Sequence, residues 1–164
     1  MQEIGTLKPR DLIATARDLI VVTGRRKPRQ SNLHRATSTA YYAMFHTLAR
    51  SAADLMIGGT KASRSAGAWK QAYRALDHGT IKSACGRSDA LAKFPKAIQD
   101  FANTFVALQE KRHTADYDPD ARALKSEVAL DIALAARAIT DFEATPAKDR
   151  RAFAAFIIFK TRKF

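Results

Sequence analysis

Two short segments hold the residues best suited to chemistry. Arg112 falls seven residues after Phe105 and four after Leu108, so at helical spacing it continues an apolar stripe that starts at Ile98. A guanidinium on such a face requires an acidic partner or an anionic ligand, because an unpaired buried charge is expensive. Two readings follow. Either Arg112 emerges at the helix end and pairs with Asp116 or Asp118, or it holds an anion at the mouth of a groove, where its fork of N–H donors matches phosphate. The second segment carries Arg35, Thr39, Tyr42 and His46 at i, i+4, i+7 and i+11, a polar line along one side of a helix. Arg holds phosphate, Tyr stacks or donates, and His binds or exchanges a proton. The plainer reading of the line is a hydrogen-bonded seam between helices or a solvated face.

The other candidates point to less. His34 sits near a helix start and is expected to be exposed, and His78 beside Gly79 reads as a cap at a helix break. His113 adjoins Arg112, but neighbouring helical residues point about 100° apart. No two histidines stand at metal-ligand spacing with a carboxylate, so neither a metal nor a cofactor is expected. Cys85 is the single cysteine; it rules out an intrachain disulfide and a thiolate zinc cluster, and without an activating motif it reads as an inert small residue. Trp69 and Tyr73 at i, i+4 read as packing.

These residues belong to a basic chain. Among 164 residues, 28 Lys and Arg against 16 Asp and Glu give a net charge of +12 and a pI near 10.2. Such a balance suits nucleic acid or another polyanion, with a merely solvated basic surface as the alternative. Hydrophobic residues at 46% and charged residues at 27% exclude general disorder and collagen. The longest apolar run near the N-terminus, Leu19-Ile20-Val21-Val22, is too short for a signal-peptide core or a membrane span, so a cytoplasmic protein without membrane contact is expected.

The elements that must position the site are helical. Apolar residues recur at 3.6-residue spacing almost everywhere and no stretch alternates as a strand would, so no phosphate loop after a strand is possible. Five or six helices are predicted. The first runs from Pro9 to Thr23, with Leu12, Ile13, Ala16, Leu19 and Ile20 on one face and Gly24 ending it. After a basic turn (Arg25, Arg26, Lys27, Arg29), Ser31 caps a long helix to Ile57 with Leu33, Thr37, Tyr41, Met44, Leu48, Ala52 and Leu55 inward, stopped by Gly58-Gly59. Residues 60–67 read as a loop, and Ala68–Cys85 as a helical region broken near His78-Gly79. A fourth helix spans Phe94 or Pro95 to His113, with Ile98, Phe101, Ala102, Phe105 and Leu108 inward. Asp118-Pro119 signals the start of a fifth, reaching Glu143, with Leu124, Val128, Ile132, Ala135, Ile139 and Phe142 inward. Thr145-Pro146 introduces a last helix, Ala147 to Lys160, with Phe153, Phe156, Ile157 and Ile158, and a basic tail to Phe164. The expected architecture is one all-α domain over residues 1–164. It is an up-and-down bundle of about five helices with short connections and a core at about 7–144, and 145–164 form a C-terminal helix and basic tail.

Two stretches together carry a family resemblance: Arg35-Ala36-Thr37-Ser38-Thr39-Ala40-Tyr41-Tyr42-Ala43-Met44-Phe45-His46, and roughly 65 residues later Arg112-His113-Thr114-Ala115-Asp116-Tyr117-Asp118. In order and spacing the chain resembles small bacterial members of the HEPN family (higher eukaryotes and prokaryotes nucleotide-binding domain) over about Leu7 to Ala144. The resemblance implies an up-and-down bundle that dimerises and binds RNA or nucleotides. Many such proteins are metal-independent endoribonucleases, acting as toxins or beside a small nucleotidyltransferase. Their ribonuclease motif is an Arg, four to six residues, then a His, with two copies brought into one cleft by dimerisation. Arg112 matches the Arg, but Tyr117, Asp118 and Pro119 occupy the positions where the His would fall.

Metal-free RNA cleavage needs a base for the 2′-OH proton, an acid for the leaving oxygen and a cation for the phosphorane charge. Arg112 could supply the cation. Tyr117, with a reference pKa of about 10, is a poor base at neutral pH. Asp116 and Asp118 repel phosphate unless neutralised, and His46 or His113 could substitute as the imidazole. Three readings of function remain. One is a dimeric module that binds RNA, a nucleotide or another phosphate-bearing ligand through Arg35, Tyr42, His46, Arg112, Asp116 and Tyr117, with Asp116 and Tyr117 orienting Arg112. Another is an atypical endoribonuclease using Arg112, His46 and Tyr117. The last is an interaction module whose polar line is a dimer seam and whose groove docks a partner such as a nucleotidyltransferase, with Phe153, Phe156 and Phe159 available for contact.

Overall fold

The computed structural model describes residues 7–160. Among them the regular structure is entirely helical, in eight helices: α1 (Pro9–Ile20), α2 (Gln30–Met56), α3 (Ala66–Arg74), α4 (His78–Cys85), α5 (Ser88–Leu91), α6 (Lys96–Tyr117), α7 (Lys125–Glu143) and α8 (Ala147–Ile158). None is long and apolar enough to cross a membrane.

The expected helices are present, with shifted ends. Pro9 opens α1, but the helix stops at Ile20, and β-branched Val21 leaves it in extended backbone before Gly24 turns at φ +67. Helix α2 begins at Gln30 with no side-chain cap at Arg29, so Ser31 is inside the helix rather than its cap. The Gln30 amide instead fastens the helix start to the segment before α7: its Nε2 donates to the Ala123 carbonyl at 3.0 Å, and its Oε1 accepts from the Ala123 N–H at 2.9 Å. At the other end Gly58 adopts φ +146 with the Ser63 carbonyl so close that a Cβ would lie 2.7 Å from it, which only glycine tolerates.

Two expectations are corrected between α6 and α7. Helix α6 runs one turn past His113, to Tyr117. Asp118-Pro119 does not open the next helix: the Asp118 N–H closes α6 on the Thr114 carbonyl, and its carboxylate accepts from the Asp120 N–H at 2.9 Å, a local turn that competes with helix formation. Helix α7 therefore starts at Lys125, and Leu124, expected inside, is 62% exposed at the N-cap position. The connection between α2 and α6 is also not short. It folds into α3, α4 and a single turn, α5, whose four residues are too few to show a hydrophobic period.

Contacts fix the directions of the long helices. Ser38 meets Asp116 and Tyr42 meets Arg112, so α2 and α6 are antiparallel. Lys111 meets Asp131 and Phe101 meets Phe142 at 4.7 Å between ring centres, so α6 and α7 are antiparallel too. Helix α2 is the spine, packing on α1, α3, α6, α7 and α8. Its inward stripe is buried as predicted, except that Leu55 is only half-buried. The stripes of α6 (Ile98, Phe101, Ala102, Phe105, Leu108) and of α7 from Val128 to Phe142 are buried against it. The core does not stop at Ala144: Phe153, Ala154 and Ile157 of α8 join the same cluster, while Phe159 is exposed. Of the expected basic tail, residues 161–164 lie outside the described residues.

Phe105 is fully buried and its ring lies 5.1 Å from that of Tyr41, at the α2–α6 seam that holds the candidate site. Phe105→Ala is expected to destabilise the fold by about 3–5 kcal/mol, read as a lower urea midpoint with an unchanged m-value.

Candidate functional site

The antiparallel pairing of α2 and α6 places Arg112 against the Tyr41-Tyr42 step. The side chain of Arg112 is 16% exposed. Its Nη1 donates to the Tyr42 hydroxyl at 3.1 Å, and its guanidinium carbon lies 5.0 Å from the Tyr41 ring centre and 5.6 Å from that of Tyr42. The nearest carboxylate, Asp116 one helical turn on, stands at 3.7 Å, too long for a good hydrogen bond. Asp116 is occupied instead by Ser38, whose Oγ donates to it at 2.7 Å. The Arg112 Nε is buried with no partner. The guanidinium is thus recessed, held by aromatic faces and one neutral hydroxyl, and only loosely paired.

A second layer comes from the chain between α2 and α6. Asp77 caps α4 by accepting from the Thr80 N–H at 2.8 Å, and these bonds hold its carboxyl below the usual carboxylate range. His78, expected to be the cap, is free to turn inward. Its ring stacks on Phe45 at 4.0 Å between centres and meets Tyr42 edge-on, and its Nδ1 lies 2.6 Å from the Tyr41 hydroxyl. The Gln109 amide donates to the His78 carbonyl at 3.2 Å, fixing α4 to α6. On the same side of α2, His46 hydrogen-bonds through Nδ1 to the Tyr73 hydroxyl of α3.

The two imidazoles are biased toward neutrality. Burial lowers the pKa of His46, with nearby His78 adding to it; burial and then the Arg112 charge lower that of His78, against a smaller opposing effect from Asp77. Burial raises both phenols, Tyr41 and Tyr73. Tyr41 is fully buried and its hydroxyl has no other acceptor among the described residues, so it donates to His78 Nδ1. Neutral His78 therefore carries its proton on Nε2 and offers that N–H as a donor. The donors gathered here that an anion could meet are the Arg112 guanidinium, the Tyr42 hydroxyl and the His78 Nε2–H, while the Tyr41 and Tyr73 hydroxyls are engaged with the two imidazoles.

The predicted residues divide. Arg112, Tyr42, His46 and Asp116 belong to the cluster, His46 at its edge through ring contacts with Tyr42 and Phe45. Arg35 is exposed one turn before Ser38 and touches none of them, and Thr39 spends its hydroxyl on the Arg35 carbonyl at 2.7 Å. Tyr117 does not orient Arg112: it is 68% exposed with its ring on His113, because five helical residues turn it roughly 140° away. His34, expected exposed, is half-buried; its Nε2 is buried without a partner beside a cavity of about 370 Å³ that Ala121 and Ala123 also line. Trp69 is buried as packing, with Nε1 donating to Asp54 at 2.8 Å. Cys85 is buried and its thiol is pushed up to about 12, in keeping with an inert residue. Sequence reasoning missed His78, Tyr73, Ser38 and the hydroxyl of Tyr41. Only the cap pattern Asp77-His78-Gly79-Thr80 could have signalled that His78 is not the cap. Among the described residues no group of three or more His, Cys, Asp and Glu could hold a metal ion.

Comparison of the chain with protein-family models, with curated proteins and with solved structures finds no match.

Because folding lowers the pKa of His46 and His78, it favours their neutral forms. The stability they contribute is complete above the ordinary value of 6.5 and is lost as pH falls through that value toward their folded pKa. The Tm is expected to fall between pH 7 and pH 5, and His46→Gln with His78→Gln to flatten that slope; equal slopes in both proteins would count against the assignment.

Proposed function

We propose that this chain is a HEPN-like module that works as a homodimer and binds the phosphate backbone of single-stranded RNA at the Arg112 cluster. The carrying observation is the state of Arg112: recessed, hydrogen-bonded to one neutral hydroxyl, with its nearest carboxylate at 3.7 Å. A phosphate oxygen supplies the charge-assisted bonds that Tyr42 and Asp116 leave unmade. The Nε2–H of His78 is a further donor in the same cluster. The basic turn supports RNA over a single nucleotide. Arg25, Arg26, Lys27 and Arg29 are all exposed just before α2. Arg35 follows on α2, and Tyr42 stands about 18 Å along the helix from Gln30. That length suits several nucleotides. The dimer rests on the HEPN resemblance.

Fluorescence anisotropy with labelled single-stranded RNA tests this reading. Affinity is expected to fall steeply with salt, as phosphate contacts require, and Arg112→Ala to weaken it at least tenfold with the helical circular dichroism intact. No binding at low salt, or no change in Arg112→Ala, would remove the proposal.

A second reading, a metal-independent endoribonuclease, is favoured by one observation. Two imidazoles, His78 and His46, lie against Tyr42 beside Arg112 and could stand in for the one missing after Arg112 in sequence. Neutral His46 suits the base at the 2′-OH and Arg112 the phosphorane charge, while His78 would protonate the leaving 5′ oxygen only as the imidazolium, the form that burial and the Arg112 charge disfavour. Incubation with RNA in EDTA should then give cleavage that Arg112→Ala, His46→Ala and His78→Ala each abolish. Intact RNA across a varied panel would leave binding as the function.

A further inference from the structure

Apart from the Arg112 cluster, α1 and α7 flank an open cleft of about 530 Å³ that Arg50 of α2 also lines. That volume lies within the roughly 300–1,000 Å³ usual for small-molecule sites. On α1, Arg10, Ile13 and Arg17 fall at i, i+3 and i+7, so one ridge presents two guanidinium groups on either side of a buried isoleucine. Ile139 of α7 and Lys8 line the same space. Four cations thus share the lining with one carboxylate, Glu143.

Local acids leave these cations largely uncompensated. Among the described residues Lys8 and Arg17 have no ion-pair or hydrogen-bond partner through their side chains. Arg10 meets exposed Asp11 only at 3.9 Å. Arg50 meets Asp54 only at 3.9 Å, while Asp54 is engaged by Arg64 at 3.2 Å and by the Trp69 N–H at 2.8 Å. Like charges gathered around an apolar floor repel one another, and a bound anion would relieve that repulsion more fully than solvent does. Arg10 and Arg17 are about 10 Å apart along the helix. A chain of two or three phosphates can span that separation and engage both side chains, whereas a single phosphate would need both to bend toward it.

The geometry points to a second anion site here, one that takes an oligophosphate chain, free or carried by a nucleoside. It stands independently of the Arg112 reading. Isothermal titration with inorganic tripolyphosphate at low salt tests it, using the whole chain and the same chain carrying Arg112→Gln. Binding is expected in both. Arg17→Gln with Arg50→Gln should weaken it at least tenfold in either background, and Arg151→Gln, an exposed charge on α8, should change it less than twofold. Orthophosphate should bind far more weakly. An ATP arm separates the sources: tighter binding than tripolyphosphate assigns a nucleoside-borne chain, and equal or weaker binding a free one. The inference is overturned if tripolyphosphate does not bind the Arg112→Gln chain, or if Arg17→Gln with Arg50→Gln leaves its affinity unchanged.

Discussion

A guanidinium on the inward side of a helix must be compensated, and the way Arg112 is compensated shapes this site. A close carboxylate would have neutralised it. Instead Asp116 is drawn away to Ser38, and the charge rests on the faces of Tyr41 and Tyr42 with one neutral hydroxyl as acceptor. Aromatic faces stabilise a cation without matching its hydrogen-bonding fork. The buried Nε without a partner marks what remains unsatisfied. Folding therefore retains a donor-rich charge near the surface, the condition an anion site needs.

The rest of the fold supports that arrangement. The spine helix α2 brings its tandem tyrosines to the border between core and polar line, so that Tyr41 is buried and Tyr42 reaches Arg112. The α2–α6 connection, folded as α3 to α5, returns to seat His78 between Phe45 and the tyrosines and to meet His46 with Tyr73. These aromatic contacts exclude water from the imidazoles, which is why both titrate below their ordinary value. The α1–α7 cavity differs in kind. There the cations line an open space and are met only by distant acids, so their compensation is left to solvent or to a ligand.

Much of the candidate site was legible because helical periodicity is a local rule. The stripe from Ile98 to Leu108 located Arg112, and the line on α2 located Tyr42 and His46. Asp116 followed because one turn of helix separates it from Arg112. Tyr117 was placed wrongly for the same reason in reverse. Once α6 runs unbroken to Tyr117, five residues turn that side chain away, and the helix end depends on whether Asp118 folds back on Asp120 or caps a new helix. His34 was misjudged because its burial depends on residues 121–123, about ninety positions away.

From the residues alone came the all-helical class, most inward stripes, the basic balance and the Arg that a ligand would need, since each depends on composition or on spacing within a few turns. The tertiary fold decided which polar groups meet. His78 joins Tyr41, Tyr73 joins His46, Ser38 removes Asp116 from Arg112, and α8 completes the core. Those outcomes rest on how separate helices pack, and packing compares distant surfaces that no local period encodes.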